Sequence, residues 1–301
     1  MLGIWLRQMR APFLTASVIP VLIGAAYAHY LQGGFSLQLL AVTLLGVACL
    51  HLGANLANEY FDFKGGTDVA NRNRNPFSGG SGLLPSGSTR PGSVRNAALL
   101  FFLLAALAGA YLSTIRGPVV LLLGLVGALS GFLYAAPRAN LAGRGIGELL
   151  VGLNFGVLIV LGTFFVQTAS LSWKPVIASL PITFLIAAVL YVNQFPDYDA
   201  DKATGKKNIV VRLGREKAAR IYIALMFLTY VSLALAIAGG FLPPLSALSF
   251  LTFPLAIKST KTLMKHHSSF PQMLPANAFT VLNHLITGLV LAASVTAASF
   301  I

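Results

Sequence analysis

Two stretches of this chain set acids beside amides at a spacing suited to holding cations and a phosphorylated ligand. In the first, Asn58 and Asp62 are four residues apart and share one helix face. Gly65-Gly66 then ends that helix, which leaves Asp68 free to fold back toward the same point. In the second, Asn193, Asp197 and Asp201 form an i, i+4, i+8 row. Basic residues follow each cluster: Arg72 and Arg74 after the first, Lys206 and Lys207 after the second. Four aspartates carry about −4 and a diphosphate ester about −3, which share a poorly hydrated site only if cations intervene. Two Mg²⁺ supply about +4 and accept a carboxylate or two with amide and phosphate oxygens. The loop Lys and Arg would offset the rest, with Arg suited to bidentate phosphate contact. Such a site stabilises a diphosphate leaving group when a C–O bond breaks. A single cluster of this kind also reads as solvated ion pairs at a helix end. The recurrence of the Asn-x-x-x-Asp start, each time with basic residues beyond it, favours the binding site.

The elements that must position these residues are membrane helices. Of 301 residues 56% are hydrophobic and 10% charged, well under half the roughly 25% charge of soluble domains, and the mean hydropathy is +0.78. Apolar runs at about 12–31, 37–62, 96–115, 118–136, 146–168, 175–196, 218–238, 241–257 and 276–300 predict an all-α polytopic bundle of nine transmembrane helices. The net charge of +13 is read by location rather than as a sign of nucleic acid, which is not an expected partner. Of the 21 Lys and Arg, all but Arg116 and Lys174 fall at the N-terminus or in and beside the long polar segments, which the positive-inside rule places in the cytoplasm. The N-terminus is then cytoplasmic and the C-terminus lies on the far side. All eight acids also fall on the cytoplasmic side, where the rule does not require them. A transporter would put its ionisable groups nearer the bilayer midplane, so that reading is the weaker one. The chain reads as one domain, 1–301, with weak internal halves at about 1–136 and 137–257, because Asn58 and Asn193 stand 135 positions apart, four helices in each case.

Other residues have plainer readings. The single cysteine, Cys49, lies in an apolar run and excludes an intrachain disulfide and a Cys-ligated cluster. His51 and His284 lie within spans and read as buried, hydrogen-bonded histidines before haem ligands. Glu148 starts a helix and the helix dipole accounts for it. Asn277 and Asn283 sit at the last span, for substrate contact or for helix–helix hydrogen bonding.

At its two clusters the sequence resembles the UbiA superfamily of intramembrane aromatic prenyltransferases, and the resemblance covers essentially the whole chain. The stretch Asn58 to Asp68 is similar to the 1,4-dihydroxy-2-naphthoate polyprenyltransferase branch of menaquinone synthesis, as is Gly205-Lys206-Lys207-Asn208-Ile209-Val210-Val211-Arg212-Leu213-Gly214. Tyr134-Ala-Ala-Pro-Arg138 corresponds to the family's Tyr-x-x-x-Lys element with Arg in place of Lys, and Gly145 to Glu148, Asn154 and Arg10-Ala-Pro-Phe-Leu-Thr15 resemble further family segments. The resemblance implies Mg²⁺ held by Asn58, Asp62, Asn193, Asp197 and Asp201, a polyprenyl diphosphate as donor, and an aromatic acceptor. Asp68 and Tyr134 join the catalytic set, while Arg10, Arg72, Arg138, Lys206 and Lys207 face the diphosphate. It implies transfer through an allylic cation to 1,4-dihydroxy-2-naphthoate, or alternatively to 4-hydroxybenzoate. The location implied is the cell (inner) membrane, with the site toward the cytoplasm and the prenyl tail toward lipid.

Overall fold

Long apolar runs in lipid have only one way to satisfy their backbone without a closed barrel, and the chain takes it: every regular element is helical. The computed structural model describes residues 2–301, and no strand occurs among them. The order is α1 (Leu2–Gln8), a 3₁₀ turn (Ala11–Leu14), α2 (Thr15–Gln32), α3 (Leu37–Lys64), α4 (Thr67–Ala70), α5 (Pro91–Arg116) and α6 (Val119–Ala135). A 3₁₀ turn (Ala142–Arg144) leads to α7 (Gly147–Val151), a π-helical stretch (Gly152–Leu158), α8 (Ile159–Thr168), α9 (Lys174–Ala203), α10 (Ile209–Leu213) and α11 (Arg215–Ala238). A 3₁₀ run (Pro244–Thr252), α12 (Phe253–His266) and α13 (Leu274–Ala298) complete the chain.

Seven of the helical segments described are long and apolar enough to cross a membrane. Val119–Ala135 is apolar but shorter. The span expected at 241–257 is instead a 3₁₀ run that passes into α12, whose lysines Lys258, Lys261 and Lys265 are exposed while Ala256, Ser259 and Leu263 are buried. Pro243-Pro244 and Pro254 account for the change, because a proline ring withdraws a donor from the helical ladder.

The core centres on α9, whose Ile182, Leu185, Tyr191 and Phe195 are buried among residues of α2, α8, α11 and α13. By contrast, α5 and α6 turn Leu99, Leu103, Leu107, Leu122 and Leu125 outward, as helices facing lipid do. Buried polar side chains tie the later helices together. Tyr222 Oη bonds Ser259 Oγ of α12 at 2.8 Å and Thr280 Oγ1 of α13 at 2.6 Å. Tyr230 Oη donates to Asn283 Oδ1 at 3.0 Å. Asn283 therefore belongs to helix–helix bonding, which replaces water inside a membrane bundle.

Proline also shapes α9 locally. Pro196 lies inside this helix and has no N–H, so the carbonyl four residues earlier, Val192 O, loses its intrahelical donor. Asn277 Nδ2 of α13 takes that carbonyl at 3.2 Å and reaches Asn193 Oδ1 at 2.8 Å.

Candidate active site

The C-terminal ends of α3 and α9 bring both acid clusters to one cavity of about 210 Å³. Its wall includes Asn58, Asp62 and Asp68 on one side and Asn193, Asp197 and Asp201 on the other, with Lys206 between them. The first cluster is laid out as its spacing requires. Asn58 Nδ2 donates to Asp62 Oδ2 at 3.0 Å, so the two share a face one helical turn apart. Gly66 adopts φ 84°, the chain reverses, and α4 carries Asp68 back into the cavity wall, 4% exposed.

Lys206 joins the clusters. Its ammonium lies 3.1 Å from Asp62 Oδ2 and 3.9 Å from Asp201 Oδ1. The segment that carries it is extended, so neighbours alternate in direction: Lys206 faces the cavity, Lys207 is exposed, and Asn208 is buried again. Asn208 Nδ2 donates to Asp201 Oδ2 at 2.7 Å, and Asn208 Oδ1 accepts from Val211 N at 2.9 Å to cap α10. Burial alone would lower the affinity of Lys206 for its proton, but Asp62 and Asp201 outweigh it and hold the ammonium above the ordinary lysine range.

Asp197 is held from the other direction, by the loop between α4 and α5. Asn71 Nδ2 donates to its Oδ1 at 2.7 Å and Gly79 N to its Oδ2 at 3.3 Å. Arg74 fixes this loop through Asp68 O at 2.7 Å and Gly79 O at 2.9 Å. A buried knot beneath it contains Glu59, which accepts from Ser81 N at 2.6 Å, Ser81 Oγ at 2.8 Å and Gln8 Nε2 at 2.9 Å. Glu59 is therefore the anchor of the loop, despite lying between the two motif residues in sequence. Glu148 has a comparable role, accepting from Ile209 N at 3.2 Å at the start of α10, beyond what the dipole of its own helix accounts for.

Gly80 closes the loop over Asp68. A Cβ there would stand 2.6 Å from Asp68 Oδ2, at φ 68°. Gly80→Ala is expected to cost about 1–3 kcal/mol and to lower activity with it. Gly87→Ala, at φ 72° but with nothing within 4 Å of the new Cβ, should cost less and leave activity intact. Thermal unfolding and turnover of the two variants in detergent compare them directly.

The expected phosphate-facing residues divide. Arg10 and Lys206 line the cavity, and Arg10 Nη2 is fixed to Phe77 O at 2.8 Å. Arg72, Arg138 and Lys207 are exposed and do not line it. Arg72 points outward because Asn71 beside it turns in to Asp197. Arg138 lies on the turn after α6, where its carbonyl oxygen accepts from Arg144 at 3.0 Å. Asn193 lines the cavity as well, and its oxygen accepts one bond from Asn277. Tyr134 and Asn154 both line the cavity, Asn154 from the π-helical stretch. Asn71, Asn208 and Glu59 had no assigned role from sequence. Asn208 could have been found as an N-cap before the run Ile209–Leu213. Asn71 carries no such signal.

Two buried oxygens in the first cluster, Asn58 Oδ1 and Asp68 Oδ2, have no hydrogen-bond partner. Burial pushes the Asp68 carboxyl up to about 8, helped by the charges of Asp62 and Glu59 against the opposing Lys206. Unpartnered oxygens of this kind suit a hard divalent cation, whose charge would favour the ionised carboxylate. Among the described residues, no three His, Cys, Asp or Glu side chains are grouped to hold a metal on their own. Any ion here must complete its shell with amide, water or ligand oxygens.

A second cavity of about 340 Å³ adjoins the first and shares His51, Ala54, Gly131, Asn154 and Phe155 with it. Its wall is almost wholly apolar and runs along α3 to Thr43, with α5, α6 and α8 on the other sides. At the helical rise, Thr43 lies about 28 Å from Asp62 along α3.

Relatives resemble this chain in sequence, and solved structures share its fold. A 1,4-dihydroxy-2-naphthoate octaprenyltransferase of Bacillus subtilis is 29% identical, over 88% of this chain and 84% of its own length. A 2-carboxy-1,4-naphthoquinone phytyltransferase of Synechocystis is 28% identical, over 96% and 92%. A UbiA homolog from Archaeoglobus fulgidus solved bound to GPP and Mg²⁺ superposes with a TM-score of 0.64 at 19% identity, over 96% of this chain and 99% of that one. The UbiA prenyltransferase family model matches residues 17–272, which take in both acid clusters and the helices that hold them. With that match across most of its length, the chain belongs to the UbiA prenyltransferase family, as its motifs lead one to expect.

Proposed function

We propose that this enzyme transfers a polyprenyl group from a polyprenyl diphosphate to 1,4-dihydroxy-2-naphthoate, a step of menaquinone biosynthesis. The observation that carries the reading is the joining of two cavities. An acidic chamber with Lys206 and Arg10 opens directly into an apolar one, which matches a ligand with a diphosphate head and a hydrocarbon tail. The acceptor follows from the relatives, several of which are named for transfer to dihydroxynaphthoate.

The donor set fits Mg²⁺, with Asn58, Asp62 and Asp68 on one wall and Asp197 and Asp201 on the other. When bound, the ion draws charge from the diphosphate and so eases C–O cleavage. Lys206 and Arg10 add fixed positive charge where the leaving group accumulates negative charge. The apolar walls exclude water from the allylic cation, and the Tyr134 and Phe155 rings offer it cation–π contact. The acceptor ring then forms the new C–C bond, and its carboxyl group departs as CO₂ as the ring regains aromaticity.

The chain sits in the cell membrane in this reading, with Val119–Ala135 and Pro244–His266 completing a bundle of nine crossings. The N-terminus and the acid cavity face the cytoplasm, supported by the distribution of Lys and Arg. The test uses membranes containing the enzyme, Mg²⁺, a polyprenyl diphosphate and carboxyl-labelled dihydroxynaphthoate. Labelled CO₂ should be released only when the prenyl diphosphate is present. Turnover of 4-hydroxybenzoate with the naphthoate inert would overturn the acceptor assignment.

A further inference from the structure

One of the five residues shared by the two cavities is a histidine. His51 lines both, is 7% exposed, and lies on the same face of α3 as Asn55, Asn58 and Asp62, at i, i+4, i+7 and i+11. Its Nδ1 is 2.6 Å from Ser17 Oγ of α2, and the edge of its ring meets Phe155 at 4.9 Å between centroids. These two contacts fix the ring. Nε2 has no hydrogen-bond partner among the described residues, yet it is not one of the fully enclosed polar atoms. It is open to the cavity.

The Ser17 hydroxyl makes no hydrogen bond other than that to Nδ1, and on that ground we assign its hydrogen to Nδ1 and the ring hydrogen of neutral His51 to Nε2. A charged ring would also carry a hydrogen there. In either state His51 directs an N–H into the floor of the acidic chamber, where the neighbouring walls are Ala54, Gly131, Asn154 and Phe155. A hydrocarbon tail has no atom to accept that bond, and the diphosphate belongs at the level of Asn58 and Asp62, roughly 10–16 Å further along α3. A hydroxylated aromatic ring beside His51 can accept it.

We propose that His51 Nε2 donates a hydrogen bond to a ring oxygen of the aromatic acceptor and so orients the ring against the prenyl carbon, with Ser17 as the positioning residue behind it. The proposal rests on the prenyl-transfer reading above but not on which hydroxylated aromatic is the acceptor.

The experiment exploits the geometry of two amides: a Gln side chain can place its nitrogen near Nε2, while an Asn reaches only as far as Nδ1. For His51→Asn, the KM for the acceptor should rise about five- to tenfold, as expected for the loss of one hydrogen bond. The KM for the prenyl diphosphate should stay within about twofold, and His51→Gln should recover most of the acceptor affinity. On the wild-type enzyme, acceptors with each hydroxyl methylated in turn should show a similar loss at one position, and that position should show no further loss in His51→Asn. Equal effects of Asn and Gln, a rise in both KM values together, or an unchanged acceptor KM in His51→Asn would each overturn the proposal in favour of a clasp between α2 and α3. If the variants fail to fold, the methylated acceptors decide on wild-type protein alone, and insensitivity at every hydroxyl overturns it. Should dihydroxynaphthoate prove inert and 4-hydroxybenzoate active, only the acceptor reading falls, and the same measurements are made with the active compound.

Discussion

Asp62→Ala and Asp197→Ala are each expected to lower kcat by at least about 100-fold, with the protein still inserted and folded. Each removes a carboxylate from the wall of the cavity, and Asp62→Ala also deprives Lys206 of its 3.1 Å partner. Asp199→Ala is the control. It belongs to the same acidic run in sequence, but its carboxylate is exposed and bonds Arg215 at 2.8 Å away from the cavity. A surface pair of this kind contributes little, so activity should remain within about twofold of the parent. Prenyl transfer assayed at saturating Mg²⁺ on purified protein decides the matter, and full activity of Asp62→Ala would remove the acid cavity from the mechanism.

The second large effect concerns the basic residues. Lys206→Ala should raise the KM for the prenyl diphosphate by about 10- to 100-fold, because a charge-assisted contact is lost in a poorly hydrated site while two acids remain. Arg72→Ala and Arg138→Ala should shift it by no more than about twofold, since both side chains are exposed away from the cavity. Titration of each variant with the prenyl diphosphate at fixed acceptor separates them. Equal effects at Arg72 and Lys206 would require the loop after α4 to carry diphosphate contacts that its present geometry does not provide.

Much of this site was legible before any coordinates. The Asn58–Asp62 pair and the α9 row could be read because helical periodicity fixes which residues share a face, and Gly65-Gly66 marked the reversal that returns Asp68. Periodicity has no hold on the loops. Arg72 and Lys207 looked equivalent to Lys206 by distance along the chain, yet the direction of each depends on single bonds, Asn71 to Asp197 and Asn208 to Asp201. Glu59 showed a similar limit. Its position between Asn58 and Asp62 suggested nothing, because its partners Gln8 and Ser81 are brought to it by folding. Among the spans, the segment at 241–257 forms a 3₁₀ run passing into α12 rather than one regular helix, a difference hidden from hydropathy, which averages over prolines that interrupt the helical ladder.

Pro196 has a consequence for how the enzyme is made. The carbonyl it frees on α9 is claimed by Asn277, and the same amide holds Asn193 beside the second acid cluster. Asn277 belongs to α13, which is synthesised after α9, so the two meet only once some seventy residues more of the chain have been made. Until α13 packs against it, α9 carries an unsatisfied carbonyl and its acid row lacks one of its supports. Placement of α13 is thus a condition for setting the second motif, and a chain interrupted before residue 277 would hold both motifs with the second of them unset.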